Sequence, residues 1–297
     1  MLNTDHLSPD AEALAMELEA CEGYRVLRRV PKPFTSLPRM GPVPDGKCIA
    51  ILDTETTGLD SENDVIIELA IQLVFVDDGG EVIGHSMPHS WLDDPERELD
   101  PRITMVTGLG AQHLRGHKID DDFARGLLDR ADLIVAHNAS FDAGFIERRY
   151  PELAGKAWAC SCSEIDWLQL GFDGRSQSAL LAHVGWFSDA HRAAADVWAL
   201  HWLLQHRQRG PGETETRTYL ARLIDASERP TVMVQAERAP FSKKEALRAR
   251  GYRWNAPKRF WEIELAPGRV EHEQAWGYRN GLPAMTTRQI TAHERHR

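Results

Sequence analysis

The segment Cys48-Ile49-Ala50-Ile51-Leu52, closed by Asp53, is a short continuous apolar run, the pattern of a central strand buried on both faces. A chain built around such a strand must supply a layer for each side, and the residues downstream alternate strand and helix patterns that do so. Residues 64–77 and 80–92 flank the turn signal Asp77-Asp78-Gly79-Gly80 and read as a hairpin-connected pair. Residues 121–131 read as a helix, 131–138 as a fourth strand and 140–153 as a second helix. A fifth strand falls around residues 156–161, followed by helices over 164–171, 178–185 and about 192–207. The expectation is an α/β domain over residues 47–209, a mixed five-stranded sheet with helices on both faces.

Residues 1–46 read as an N-terminal extension: Ser8-Pro9-Asp10 starts a helix, and five prolines with two glycines in residues 31–46 mark an extended arm. After the domain, residues 210–230 read as a linker followed by a helix. Residues 231–282 read as a small basic, aromatic α+β module. In that module Thr231 to Ala236 form a strand, residues 242–251 a helix capped by Ser242 and ended by Gly251, and residues 252–265 a hairpin across Ala256-Pro257-Lys258. Residues 283–297 are expected to fray.

At 297 residues, 42% hydrophobic and 27% charged, the composition is that of an ordinary globular chain. No window approaches the ~18 consecutive apolar residues of a membrane span. The first twenty residues have neither the basic nor the apolar region of a secretory signal, so a cytoplasmic protein without a membrane partner is expected. The four cysteines, Cys21, Cys48, Cys160 and Cys162, give no disulfide framework. The pair Cys160 and Cys162 lacks the second ligand pair of a zinc site. The net charge of −10 is unevenly spread. Residues 1–210 carry 34 acidic against 19 basic side chains, while residues 211–297 carry 16 basic against 11 acidic. Net charge alone decides nothing about function.

The chemistry concentrates in three places. Asp53 and Glu55 leave the first strand two residues apart, so both carboxylates project to one face at its C-terminal end, where open α/β sheets bind ligands. Two adjacent carboxylates resist joint ionisation unless a cation sits between them, and oxygen donors of this kind suit Mg2+ or Mn2+. An acidic turn capped by threonines is the plainer alternative. Asp142 lies in the first turn of the helix that follows the fourth strand, a place the helix dipole favours for any acid. A strand parallel to the first would bring it to the same end of the sheet. His191 and Asp196 are five residues apart, about 500° on a helix, so they share a site only if His191 sits on the loop before the helix and Asp196 inside it. Asp189 is placed to cap that helix, and the alanines after His191 let helix and sheet approach closely.

Together these residues resemble the DEDD superfamily of 3′→5′ exonucleases in its histidine subclass, which includes the proofreading epsilon subunit of bacterial DNA polymerase III and ribonuclease T. The D-x-E motif matches Asp53 and Glu55, N-x-x-F-D matches Asn138, Phe141 and Asp142, and H-x4-D matches His191 and Asp196. The resemblance covers residues 47–208. It implies an RNase H-like fold, with two divalent ions, Mg2+ or Mn2+, held by Asp53, Glu55, Asp142 and Asp196. It also implies Thr54, Thr56 and Leu59 lining the terminal nucleotide, with His137, Asn138 and Phe141 as neighbours. One departure stands out: Val106-Thr107-Gly108-Leu109 occupies the place where a histidine–glycine pair is common.

The implied activity is hydrolysis of nucleotides from DNA 3′ ends in proofreading or repair, on single-stranded DNA or frayed ends, with a polymerase as partner. His191 is the natural general base, because imidazole titrates near neutral pH. An exoribonuclease, or a strand-binding subunit without turnover, are the competing readings. The intact set of four acids and a histidine argues against the second. Residues 238–259 carry eight Lys or Arg and one acid, with Tyr252 and Trp254 on one strand and Phe260 and Trp261 on the next. Basic residues interleaved with rings suit single-strand binding, and the cationic helix face reads that way, whereas Trp254 and Trp261 read rather as the core of a small module.

Overall fold

The computed structural model describes residues 7–38, 42–189 and 191–297. Residues 1–6 and 39–41 of the expected N-terminal extension lie outside the described residues. The described chain forms two compact units, one of Ser227–Arg295 and one of the remainder, which includes His296 and Arg297.

In the larger unit, β1 (Lys47–Thr56) is the central strand expected from its apolar run, and it is flanked on both sides. The sheet order is β3 (Val82–His85), β2 (Ile66–Val76), β1, β5 (Leu133–Ala136) and β6 (Trp158–Cys160), with β4 (His89–Leu92) also paired to β2. β1 runs antiparallel to β2 and parallel to β5, and β5 runs parallel to β6, so the sheet is mixed. The expected third strand is two short ones. Between the pairs Val74↔His85 and Ile71↔His89 the outer chain holds one residue more than β2, a bulge. Ser86 closes it: its N–H donates to the Leu73 carbonyl, and its Oγ accepts the Leu73 N–H at 3.1 Å.

Alternation along β1 sorts its side chains between two layers. Cys48, Ala50 and Leu52 share a core with Ala124 and Leu128 of α2 (Asp121–Arg130) and with Ala139, Ala143 and Ile146 of α3 (Ala139–Arg149). Ile49 and Ile51 face the other way, and α5 (Ala193–Leu204) covers β1 and β2 there. The expected helices on both faces are therefore present. The helix expected over 192–207 is shorter at both ends. That over 178–185 becomes α4 (Gln177–His183), capped by the Ser176 hydroxyl.

The N-terminal extension is folded onto this unit. Ser8 caps α1 (Pro9–Glu19), and Arg28 ties its acids Glu12 and Glu19. Arg28 and Arg29 then pair in parallel with Trp186 and Phe187. The Trp198 indole N–H donates to the Pro31 carbonyl at 2.7 Å, so the arm passes over α5.

Three further expectations are corrected. Residues 164–171 form turns, not a helix, because Trp167 is fully buried and its indole N–H reaches back to the Ser161 carbonyl at 2.7 Å. Asp189 does not cap α5; its carboxylate pairs with Arg29. The end of the chain does not fray. Thr286–Ile290 adds an edge strand to the small sheet, and in the larger unit His296 Nε2 lies 2.7 Å from Glu164 Oε1.

The smaller unit has a four-stranded antiparallel sheet in the order β8 (Arg253–Asn255), β9 (Phe260–Leu265), β7 (Thr231–Ala236), β10 (Thr286–Ile290). It carries α6 (Lys244–Arg250) and α7 (Val270–Arg279), and its core gathers Ala236, Leu247, Tyr252, Trp261 and Leu282. α6 ends at Gly251, whose φ of 98° is the left-handed conformation glycine tolerates. Its start is not capped by Ser242, since a 3-10 turn over Phe241–Lys243 leads directly into it.

Candidate active site

The C-terminal end of β1 delivers Asp53 and Glu55 to the α5 face of the sheet. Asp196 arrives from the first turn of α5. One carboxylate oxygen of each lies within 4.8 Å of the others, and this is the group of metal-binding type found among the described residues. Residues separated by more than 140 positions in sequence thus meet at one point. His191 sits on the loop before α5, as the spacing required, at φ 69°. Its backbone N–H donates to Asp196 Oδ2 at 2.8 Å, and its side chain is exposed.

Asp142 enters from the first turn of α3 beside the parallel strand β5. It is buried, and Oδ1 accepts both the Thr54 N–H, at 3.1 Å, and the Thr54 hydroxyl, at 2.8 Å. Thr54 lies between the two acids of β1, so this bond fixes Asp142 to the same strand end. Asp142 stands next to the group of three rather than within it.

The electrostatics are those of crowded like charges. Burial raises Asp53 well above the usual carboxylate range, and repulsion from Asp142, then Asp196, then Glu55 adds to it. Burial, followed by repulsion from Asp196 and Glu68, pushes Glu55 up to about 7. Burial likewise takes Asp142 to about 7, against the Thr54 hydrogen bonds that pull it down. Asp196 is raised chiefly by burial, opposed by the His191 N–H. Such a set holds protons near neutral pH unless a cation compensates it. Its donors are all carboxylate oxygens, which fit a hard divalent ion.

Sequence reasoning missed Glu68. It stands directly across from Glu55 in the β1–β2 ladder and is fully buried. Its carboxylate accepts Arg192 Nε and Nη2, both at 3.1 Å, and the Ala193 N–H at 3.3 Å. Glu68 therefore supplies an anchor for the start of α5 next to His191. The available signal was an acid inside the otherwise apolar run of β2, a position that requires a partner.

The nucleotide-lining candidates are less alike. Leu59 is 87% exposed beyond the strand end. Thr56 donates its hydroxyl to the Gly58 carbonyl at 2.5 Å, and Thr54 is engaged with Asp142. His137 has both ring nitrogens occupied, by Ser161 Oγ at 2.9 Å and the Arg175 carbonyl at 2.8 Å. Asn138, at φ 77°, begins α3 with its side chain exposed, and Phe141 packs on Phe145 with ring centroids 4.9 Å apart. Gly58 has a local reason: a Cβ there would lie 2.3 Å from Asp64 Oδ2. Thr107, at the departure from the motif, is buried and bonds to the Ile103 carbonyl.

The family profile for exonucleases of the ribonuclease T type matches residues 50–201. The chain belongs to this exonuclease family, as the three motifs suggested. A PolC-type DNA polymerase III of Bacillus subtilis (strain 168) is 37% identical over 125 residues, 41% of this chain and 8% of that one. A PolC-type polymerase of Streptococcus suis is 34% identical over 107 residues, 35% of this chain and 7% of that one. The chain thus spans less than a tenth of these curated relatives. Among solved structures, exonuclease X in complex with 5′ overhanging duplex DNA shows 27% identity and a TM-score of 0.39, covering 52% of this chain and 88% of that one. E. coli exonuclease I in complex with a dA16 oligonucleotide shows 15% identity and a TM-score of 0.47, covering 80% and 68%. Among the described residues no helix is long and apolar enough to cross a membrane.

Proposed function

We propose that this exonuclease removes nucleotides from the 3′ ends of DNA in a cytoplasmic proofreading or repair setting, with Asp53, Glu55, Asp142 and Asp196 holding two Mg2+ or Mn2+ ions. The observation that carries the reading is the convergence of Asp53, Glu55 and Asp196, with Asp142 held alongside by Thr54. Likeness to PolC-type DNA polymerases favours DNA and a polymerase partner.

When bound, two such ions lower the pKa of a water and stabilise charge on the attacking and leaving oxygens of a phosphodiester. His191 would act as the general base that takes the proton of the attacking water. Its side chain is exposed, while its backbone is fixed to Asp196. Thr54 keeps Asp142 oriented, and Glu68 with Arg192 keeps the His191 loop in place. Leu59, Asn138 and Phe141 border the terminal nucleotide, whereas Thr54, Thr56 and His137 shape its walls through the groups they already hold.

The test is digestion of 3′-labelled and 5′-labelled DNA and RNA oligonucleotides with and without Mg2+, with Asp196→Ala as control. Mg2+-dependent release of mononucleotides from DNA 3′ ends, absent in the variant, is expected. Release from 5′ ends, or activity retained by Asp196→Ala, would overturn the proposal.

A further inference from the structure

The smaller unit presents a row of rings and cations of which only Trp261 belongs to its core. Phe241, Lys244 and Arg248 follow helical spacing into and along α6, while Leu247 turns inward and is fully buried. Lys244 Nζ stands 4.5 Å from the centroid of the Phe241 ring, and Arg248 Cζ stands 5.7 Å from that of Trp261. Trp261 in turn meets Trp254 of edge strand β8 edge-on, with centroids 5.5 Å apart. Glu245, the one acid along the row, links Lys244 and Arg248.

Burial separates structural rings from available ones. Trp261 and Tyr252 are buried members of the core, so the expectation that tryptophans fill a small module holds for Trp261. It does not hold for Trp254, which is 51% exposed, nor for Phe241, which is 80% exposed. An exposed cation–ring contact such as Lys244 on Phe241 contributes only weakly to stability, so two large rings left outside the core mark a surface that meets something else. The hairpin turn after Trp254 adds Lys258 and Arg259, both exposed, and among the described residues neither they nor Arg253 or Lys243 forms an ion pair. Eight basic side chains against one acid in residues 238–259 make this a local cationic surface on an acidic protein.

An acidic protein segment would need the cations but not the rings. Unpaired nucleotides use both, since bases stack on exposed aromatic faces while phosphates meet Lys and Arg. We propose that the row Phe241, Lys244, Arg248, Trp261 and Trp254 is a single-strand nucleic-acid platform, stacking bases on Phe241 and Trp254 and taking phosphates on Lys244 and Arg248. It deepens the exonuclease reading, on which it rests only for the identity of the bound strand as substrate.

The test is fluorescence anisotropy of labelled dT16 and rU16 with the full chain in EDTA, where hydrolysis is excluded. Trp254→Ala and Phe241→Ala are each expected to weaken binding at least ~5-fold, the lower end for loss of a base–ring stack. Trp254→Phe is expected to restore most of the affinity. The double variant Lys244→Gln with Arg248→Gln is expected to flatten the slope of log K against log salt by about 1.4, at about 0.7 per phosphate on a single strand. Thermal melting, expected to change little because Phe241 and Trp254 lie outside the buried core, confirms that each variant is folded. Unchanged affinity in the folded ring variants overturns the platform, and so does binding that needs the charges but not the rings. The preferred sugar is read from dT16 against rU16. Absence of hydrolysis by the parent chain in Mg2+, with binding in EDTA and its dependence on the rings intact, would count against the exonuclease reading and leave the platform standing.

Discussion

At His191 the backbone enters the left-handed region and gives its N–H to Asp196, so a base and a ligand candidate five residues apart are fixed by one hydrogen bond. His191→Ala removes the imidazole and leaves that bond. Turnover is expected to fall ~10²–10⁴-fold with KM and Mn2+ affinity nearly unchanged; an equal loss in binding would contradict the base role. The raised carboxylates give a second expectation. Glu55, about 7 in the folded chain and ordinary when unfolded, binds its proton more tightly when folded. Stability of the metal-free protein therefore declines as pH rises from about 4.5 through 7. Compared with the parent in EDTA, Glu55→Gln is expected to be near neutral at pH 5. At pH 8 it should be more stable by about 2–3 kcal/mol, from ~1.4 kcal/mol per unit discounted for partial exposure. A stabilisation equal at both pH values would show that repulsion is not the cause. Asp53, Glu55 and Asp196 were legible because acids directly follow an apolar strand or open a helix. The engagement of Thr54 and His137 was not, because hydrogen-bond partners distant in sequence leave no local pattern.

At the scale of elements, the start of α5 depends on a residue of β2. Arg192 is the N-cap and makes no side-chain cap bond, so Glu68 supplies the acceptor for the Ala193 N–H. Glu68→Gln weakens charge-assisted bonds to Arg192 but also relieves repulsion on Glu55, so a net loss of only about 1 kcal/mol is expected. Turnover should drop roughly tenfold as the His191 loop loosens, with Mn2+ affinity retained. Unchanged kcat would remove Glu68 from the machinery. The sheet, its mixed direction and both helical layers followed from periodicity in the chain. The errors arose where tertiary bonds override local pattern. Residues 164–171 look helical but wrap around buried Trp167, and residues 80–92 look like one strand until Ser86 absorbs an extra residue. Thr286–Ile290 is polar along most of its length and reads as a tail, yet it forms an edge strand, which needs only a neighbour with free backbone groups.

Over the whole molecule, the charge divides between an acidic first part and a basic stretch at residues 238–259. A cluster of acids repels a polyanion, so attraction for a long strand must come from elsewhere on the chain. Accordingly kcat/KM on oligonucleotides of about sixteen residues is expected to fall steeply with salt, and on trinucleotides only weakly. Equal slopes would place all phosphate contacts at the active site. The most direct test of the central claim is calorimetric titration of Mn2+ into the His191→Ala protein and into the same protein carrying Asp53→Ala. Two ions per chain are expected in the first and loss of binding in the second; undiminished Mn2+ binding without Asp53 would contradict the carboxylate cluster as the seat of catalysis.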